Sequence, residues 1–273
     1  MPCDRLLIRM SGPLLTLLAA FVFGGCASLP DEHRWGEDAT FRPGWERVRH
    51  SALDAVRDPR VWVPAVGAGI LQIDDMDEEI SDWAVDHTPV FGSPGNADDW
   101  SDGLRVASIL AYHASVLATP SGVDLASWFE NKAKGYLVGM SAVAATGLAT
   151  RQLKTSVGRQ RPNETNDDSF PSGHASTTAV FARLTSRNLR WIESGDRTER
   201  TLNVGLDGLT IATAWARVES GEHFPSDTLF GIALGNFFAA FVNDVFLGME
   251  DPGTGLHVAA AADGATVSWQ VRF

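Results

Sequence analysis

Between residues 45 and 248 the apolar positions recur at three- and four-residue spacing, as on helices that bury one face. The pattern predicts helices over Trp45 to Val56, Asp102 to Ala118, Leu125 to Arg151, His174 to Leu189, Thr201 to Val218 and Ser226 to Phe246. After Pro59 comes an apolar run, Val61 to Ile73. The acidic stretch DDMDEEISDW, Asp74 to Trp83, reads as a solvated helix face with Met76, Ile80 and Trp83 turned inward. Its carboxylates lack the spacing and central glycine of a calcium loop. Residues 86–101, rich in Pro, Gly, Asn and Asp, read as a loop. No internal repeat is evident. The expectation is an all-α body over residues 45–250.

Both ends depart from this pattern. Arg5 and Arg9 precede an apolar run from Leu14 to Phe23 that ends in Gly24, Gly25 and Cys26, which reads as a secretory signal over residues 1–25. The stretch FGGCAS, Phe23 to Ser28, resembles a bacterial lipobox with Cys26 as the lipidated residue; Phe23 stands where Leu is usual. Cleavage after Ala27 is the alternative. Residues 26–44 then form a tether. The expected location is the periplasmic face of the outer membrane, or, without the lipid, the periplasm or the exterior. Cys3 leaves with the signal, so the mature chain can form no internal disulfide. At the other end, residues 254–273 alternate Val267, Trp269, Val271 and Phe273 with polar neighbours around Asp263–Gly264, which predicts a short C-terminal β-hairpin packed on the helices.

A membrane span needs about 20 predominantly apolar residues. Thr228 to Leu247 contains Asn236, Asn243 and Asp244, and the small-residue run Gly135 to Thr150, with GYLVG at its start, is shorter. The mean hydropathy of −0.05 also favours a water-soluble helical domain. A net charge of −12 argues against a nucleic-acid partner.

Three polar clusters carry the chemistry. In FPSGHAS, Phe170 to Ser176, the helix start falls at His174. The first N–H groups of a helix lack internal partners and face the positive end of its dipole, which suits phosphate. Upstream stands KTSVGRQRP, with Lys154, Arg159, Arg161 and Pro162, and Arg151 nearby. Downstream stands ARVESGEHFPSD, in which His223 and Asp227 are four residues apart across a helix start. Taken singly, each also reads as structural: a cap, a basic helix end, a local His–Asp pair. His33, His50, His87, His113 and His257 have no such setting.

In order, the clusters read Lys-x6-Arg-Pro, Pro-Ser-Gly-His and Arg-x5-His-x3-Asp. This resembles the signature of the type 2 phosphatidic acid phosphatase superfamily (PAP2), which includes vanadium haloperoxidases. The resemblance covers residues 154–227; Ala216 departs from it, where Ser is usual before the arginine. It implies a helical bundle of that type. It implies that Lys154, Arg161 and Arg217 hold the phosphate oxygens, with Ser172 and the Gly173 backbone completing the cradle. His223 would form a phosphohistidine, Asp227 would orient it, and His174 would protonate the leaving oxygen, with no metal or other cofactor. The two histidines need opposite protonation states, so a bell-shaped pH profile, neutral to mildly acidic, is expected. The substrate implied is a phosphomonoester or diphosphate, with a lipid phosphate favoured by the anchor. The alternatives are a haloperoxidase that holds vanadate in the same cradle and a non-catalytic lipoprotein scaffold.

Overall fold

Eight helices make up most of the described residues in a computed structural model of the chain, which covers residues 34–249 and the backbones of 255–261 and 264–270. They are α1 (Trp45–Arg57), α2 (Pro59–Leu71), α3 (Met76–His87), α4 (Pro94–Ala118), α5 (Leu125–Val157), α6 (Gly173–Leu189), α7 (Asp196–Glu219) and α8 (Pro225–Leu247). The backbones of β1 (Gly255–Ala261) and β2 (Gly264–Gln270) pair antiparallel, with Gly255 opposite Gln270. The leader, Cys26, and the packing of the C-terminal segment lie outside the described residues.

The helix boundaries follow from local chemistry. Asp58 caps α2 by accepting the Arg60 N–H at 2.9 Å, and Pro59 fits the first turn. Helix α4 begins at Pro94, inside the segment expected to be a loop. Ser93 accepts the Asn96 N–H at 3.1 Å, and Pro94 is preorganised for a first turn. Asp124 and Ser127 form a reciprocal capping box at the start of α5. Helix α5 runs past Arg151 to Val157 and stops at Gly158, whose φ of 57° is left-handed. Lys154 therefore sits in its last turn.

Helices α6 and α8 form the centre; α8 also packs broadly on α2 and α5. Their close approach depends on small residues. A Cβ at Gly231 would lie 2.7 Å from the Ser172 carbonyl oxygen, and one at Gly235 would lie 2.4 Å from that of Ser176. Gly135 and Gly139 of the GYLVG stretch admit the Trp35 ring and the Tyr112 hydroxyl in the same way. Around this centre Tyr112, Val138, Val180, Leu184 and Ala239 form the main apolar core.

The acidic helix α3 is rotated by one position from its expected orientation: Asp77, Ser81 and Ala84 are buried, Met76 and Ile80 are half-buried, and Trp83 is 48% exposed. Large apolar side chains also remain outside. Val63, Val66 and Ile70 of α2, Val106, Leu110 and Leu117 of α4, and Phe129, Leu137 and Leu148 of α5 are all exposed. Among the described residues one helix, α8, is long and apolar enough to cross a membrane, and more than half of its most apolar stretch is buried within the protein.

Candidate active site

The helix ends converge at one end of the bundle. Lys154 comes from the last turn of α5, Arg161 from the following loop, and Ser172, Gly173 and His174 from the start of α6. Arg217 closes α7, His223 lies between α7 and α8, and Asp227 lies in the first turn of α8. The structure brings all eight sequence-predicted site residues to this end. Direct backbone bonds tie the pieces together: Ser172 N–H to Asp227 O at 3.0 Å, and His223 N–H to Arg217 O at 3.1 Å. Ser172 caps α6 by accepting the Ala175 N–H.

His223 is almost wholly buried. Its Nδ1 lies 2.7 Å from the Ser169 carbonyl oxygen, which can only accept, so Nδ1 carries the proton and Nε2 keeps its lone pair. Burial holds this imidazole well below its ordinary pKa, and Arg217, Lys154 and Arg161 push the same way. The ring is therefore neutral at pH 7.

Asp227 does not touch His223 directly in the expected way, because its Oδ2 is 4.0 Å from Nδ1. It acts one step removed. Its carboxylate accepts from the Ser169 hydroxyl at 2.5 Å, from the Phe224 N–H at 2.9 Å and from Arg159 Nη1 at 2.8 Å. Burial raises the Asp227 pKa, opposed chiefly by Arg159 and Ser169.

Arg159 thus has a different set of partners from Lys154, Arg161 and Arg217. Its Nη2 reaches Asp77 at 2.8 Å, its Nη1 also bonds Ser226 Oγ at 2.9 Å, and its guanidinium lies 3.9 Å over the Phe224 ring. Asp77 in turn accepts the Ser226 N–H at 2.8 Å. Sequence reasoning missed Asp77 because two stripes share the same helical spacing. Met76, Ile80 and Trp83 differ from Asp77, Ser81 and Ala84 by one position, and hydrophobicity alone favours the first set. The small residues Ser81 and Ala84 were the available signal for close packing.

Three more carboxylates went unread. Asp102 accepts from His174 Nε2 at 2.8 Å and from Arg105. Burial and Arg217 lower the His174 pKa, and Asp102 acts against them. Asp98 and Glu222 pair with Arg217, and Glu222 also pairs with Arg161. Ser101 accepts from Arg217 Nη1 at 3.1 Å, so this arginine has a hydroxyl partner although Ala216 offers none. Lys154 donates to the Asp168 carbonyl, and burial, then Arg161, lowers its pKa to about 8. The Nε atoms of Arg161 and Arg217 are buried with no protein acceptor, which leaves donors for an oxyanion.

Residues 135–248, which contain all three clusters, match the family model of the PAP2 superfamily. Over 125 residues the chain is 29% identical to a lipid A 1-phosphatase of Rhizobium etli, covering 39% of this chain and 48% of that one. Over 123 residues it is 30% identical to a lipid A 1-phosphatase of Rhizobium johnstonii, covering 38% and 45%. The chain spans about half the length of these curated relatives. A crystal structure of a transmembrane PAP2 type phosphatidylglycerolphosphate phosphatase from Bacillus subtilis aligns with a TM-score of 0.49 and 20% identity, over 67% of this chain and 90% of that one.

Proposed function

We propose that the protein is a phosphatase that hydrolyses a lipid phosphate, a phosphomonoester or diphosphate, through a phosphohistidine on His223. The observation that carries this reading is the buried, neutral His223, with its proton fixed on Nδ1 and three cations close enough to depress its pKa. A neutral imidazole offers Nε2 to phosphorus. Lys154, Arg161 and Arg217 supply positive charge to the equatorial oxygens, where the charge of a loose transition state lies. Ser172 and the Gly173 N–H complete the cradle at the positive end of α6.

In the first step Nε2 bonds to phosphorus as the bond to the ester oxygen breaks, and His174 gives that oxygen its proton. In the second step water, deprotonated by His174, attacks the phosphohistidine and releases orthophosphate. Asp102 holds the His174 imidazole, and a bound phosphate dianion supplies the negative charge that favours its protonated form. The scheme uses no metal or other cofactor.

The lipid part rests on two supports. The curated relatives are named lipid A 1-phosphatases. The outward faces of α2, α4 and α5 expose apolar side chains, which suit a lipid surface better than free solution. The expectation of a water-soluble domain weighed the length of apolar runs, which does not distinguish outward from inward faces. Anchoring through Cys26 at the periplasmic face of the outer membrane belongs to the same proposal and rests on the lipobox resemblance.

The test is phosphate release from phosphatidic acid, phosphatidylglycerol phosphate, undecaprenyl diphosphate, lipid A and p-nitrophenyl phosphate, in EDTA, with His223→Ala alongside. Release by the native protein alone supports the reading. No release, with vanadate-dependent bromination instead, replaces it with the haloperoxidase. No activity of either kind favours the scaffold.

A further inference from the structure

Glu222 lies between the two arginines that the phosphate must use. Its Oε2 is 2.9 Å from Arg217 Nη2 and also pairs with Arg161 Nη1. Its other oxygen accepts from Asn163 Nδ2 at 2.9 Å, and Asn163 is itself fixed through its N–H to the Gly221 carbonyl at 3.0 Å. The carboxylate is therefore held in place by the loop after Arg161 and by the turn before His223. Its side chain is 21% exposed, against 5% for Arg217, so it has a path toward solvent that the arginine lacks.

A carboxylate and a phosphate offer the same bidentate acceptor geometry to guanidinium. They also repel each other, so both cannot sit on the same donors at full strength. We propose that Glu222 is a built-in competitor for the phosphate subsite. It pairs with Arg161 and Arg217 until a phosphate ester displaces it. The same carboxylate competes with the ester and with orthophosphate, and it returns to the arginines after hydrolysis. Glu222 therefore weakens the hold of the arginines on the product and speeds its departure. The inference rests on the phosphate-ester reading above.

The experiment is a phosphorus NMR titration of the full chain with inorganic phosphate, with product inhibition measured in parallel, for the native protein, Glu222→Gln, Glu222→Ala and Arg217→Ala. Glu222→Gln keeps the shape and the Asn163 contact, and circular dichroism reports its fold. The expected result is orthophosphate bound at least tenfold more tightly by Glu222→Gln and Glu222→Ala, with a matching rise in product inhibition and a smaller fall in KM for the ester. Equal or weaker binding in both variants overturns the proposal; weaker binding would make Glu222 a brace that holds the arginines. If esters are cleaved and only the Glu222 effect is missing, the competitor role alone falls. If no protein binds orthophosphate and no ester is cleaved, the phosphate reading falls, and this inference with it.

Discussion

Asp77 and Arg159 are joined at 2.8 Å across 82 positions of sequence, and Arg159 carries that contact on to Asp227. The acidic helix α3 thereby fixes the carboxylate network behind the proposed nucleophile. Asp77→Asn and Arg159→Met are expected to lower kcat by roughly tenfold to a hundredfold, the scale on which small misplacements of a catalytic group act. KM should change little, because neither residue faces the phosphate. Arg159→Lys should not restore the rate, since an ammonium cannot bridge two carboxylates as a planar fork does. Steady-state kinetics on one soluble ester decides this.

The separation between His223 and Asp227 leads to an unequal pair of mutants. His223→Ala removes the proposed attacking nitrogen and should leave background activity only. In a directly bonded His–Asp pair the loss of the carboxylate costs about 10⁴. Here the Ser169 carbonyl fixes the tautomer, so Asp227→Asn is expected to cost closer to about 10², through loosened positioning of Ser169. Losses of similar size for the two variants would contradict this arrangement.

The pH profile of kcat/KM reports the free enzyme. His223 must be neutral, and its pKa is held well below 6.5, so the acid limb is expected below pH 6.5. His174 must be charged to donate its proton, and its pKa is lowered in the free enzyme, so the alkaline limb follows His174 and falls before Lys154, whose pKa is about 8, loses its charge. The predicted profile is a bell on the acid side of neutrality; Asp102→Asn should move its alkaline limb further down, and Lys154→Arg should leave it in place. Stability has the same sign on the acid side. Both histidines have lowered pKa values in the folded state, so the unfolded chain takes up protons first. Stability present above pH 6.5 should be lost as the pH falls below it, which denaturant titrations at several pH values would show.

The crossing of α6 and α8 makes Gly235 sensitive. Its added Cβ would meet backbone atoms, Ser176 O at 2.4 Å and Val180 N at 2.8 Å, which cannot rotate aside. Gly235→Ala is expected to cost about 1–3 kcal/mol, as overpacking does. A lower melting temperature should accompany a fall in activity, because the same helix displacement moves Ser172.

The residues proposed to face phosphate were legible because their chemistry demands types and spacings that seldom coincide. Lys154, Arg161, His174, Arg217 and His223 could each be read from the three clusters. The residues behind them were not. Asp77, Asp98 and Asp102 lie 52 or more positions upstream of Lys154, and a carboxylate there looks the same whether it meets water or an arginine. The start of α4 was hidden for a related reason: Ser93 and Pro94 favour a turn and a helix start equally. Likewise, periodicity located α4 and α5, and α2 was marked only as an apolar run after Pro59; neither signal could tell which apolar stripe each helix would turn outward.

Ser226 and Asp77 are hydrogen-bonded across 149 positions, and the site draws on the ends of six helices, α3 to α8. No contiguous fragment of the chain contains a working half. Enzymatic turnover should therefore report global folding. As denaturant is raised, activity and helical signal should vanish in one shared transition, and a single proteolytic cut between α3 and α8 should silence the protein when the pieces separate.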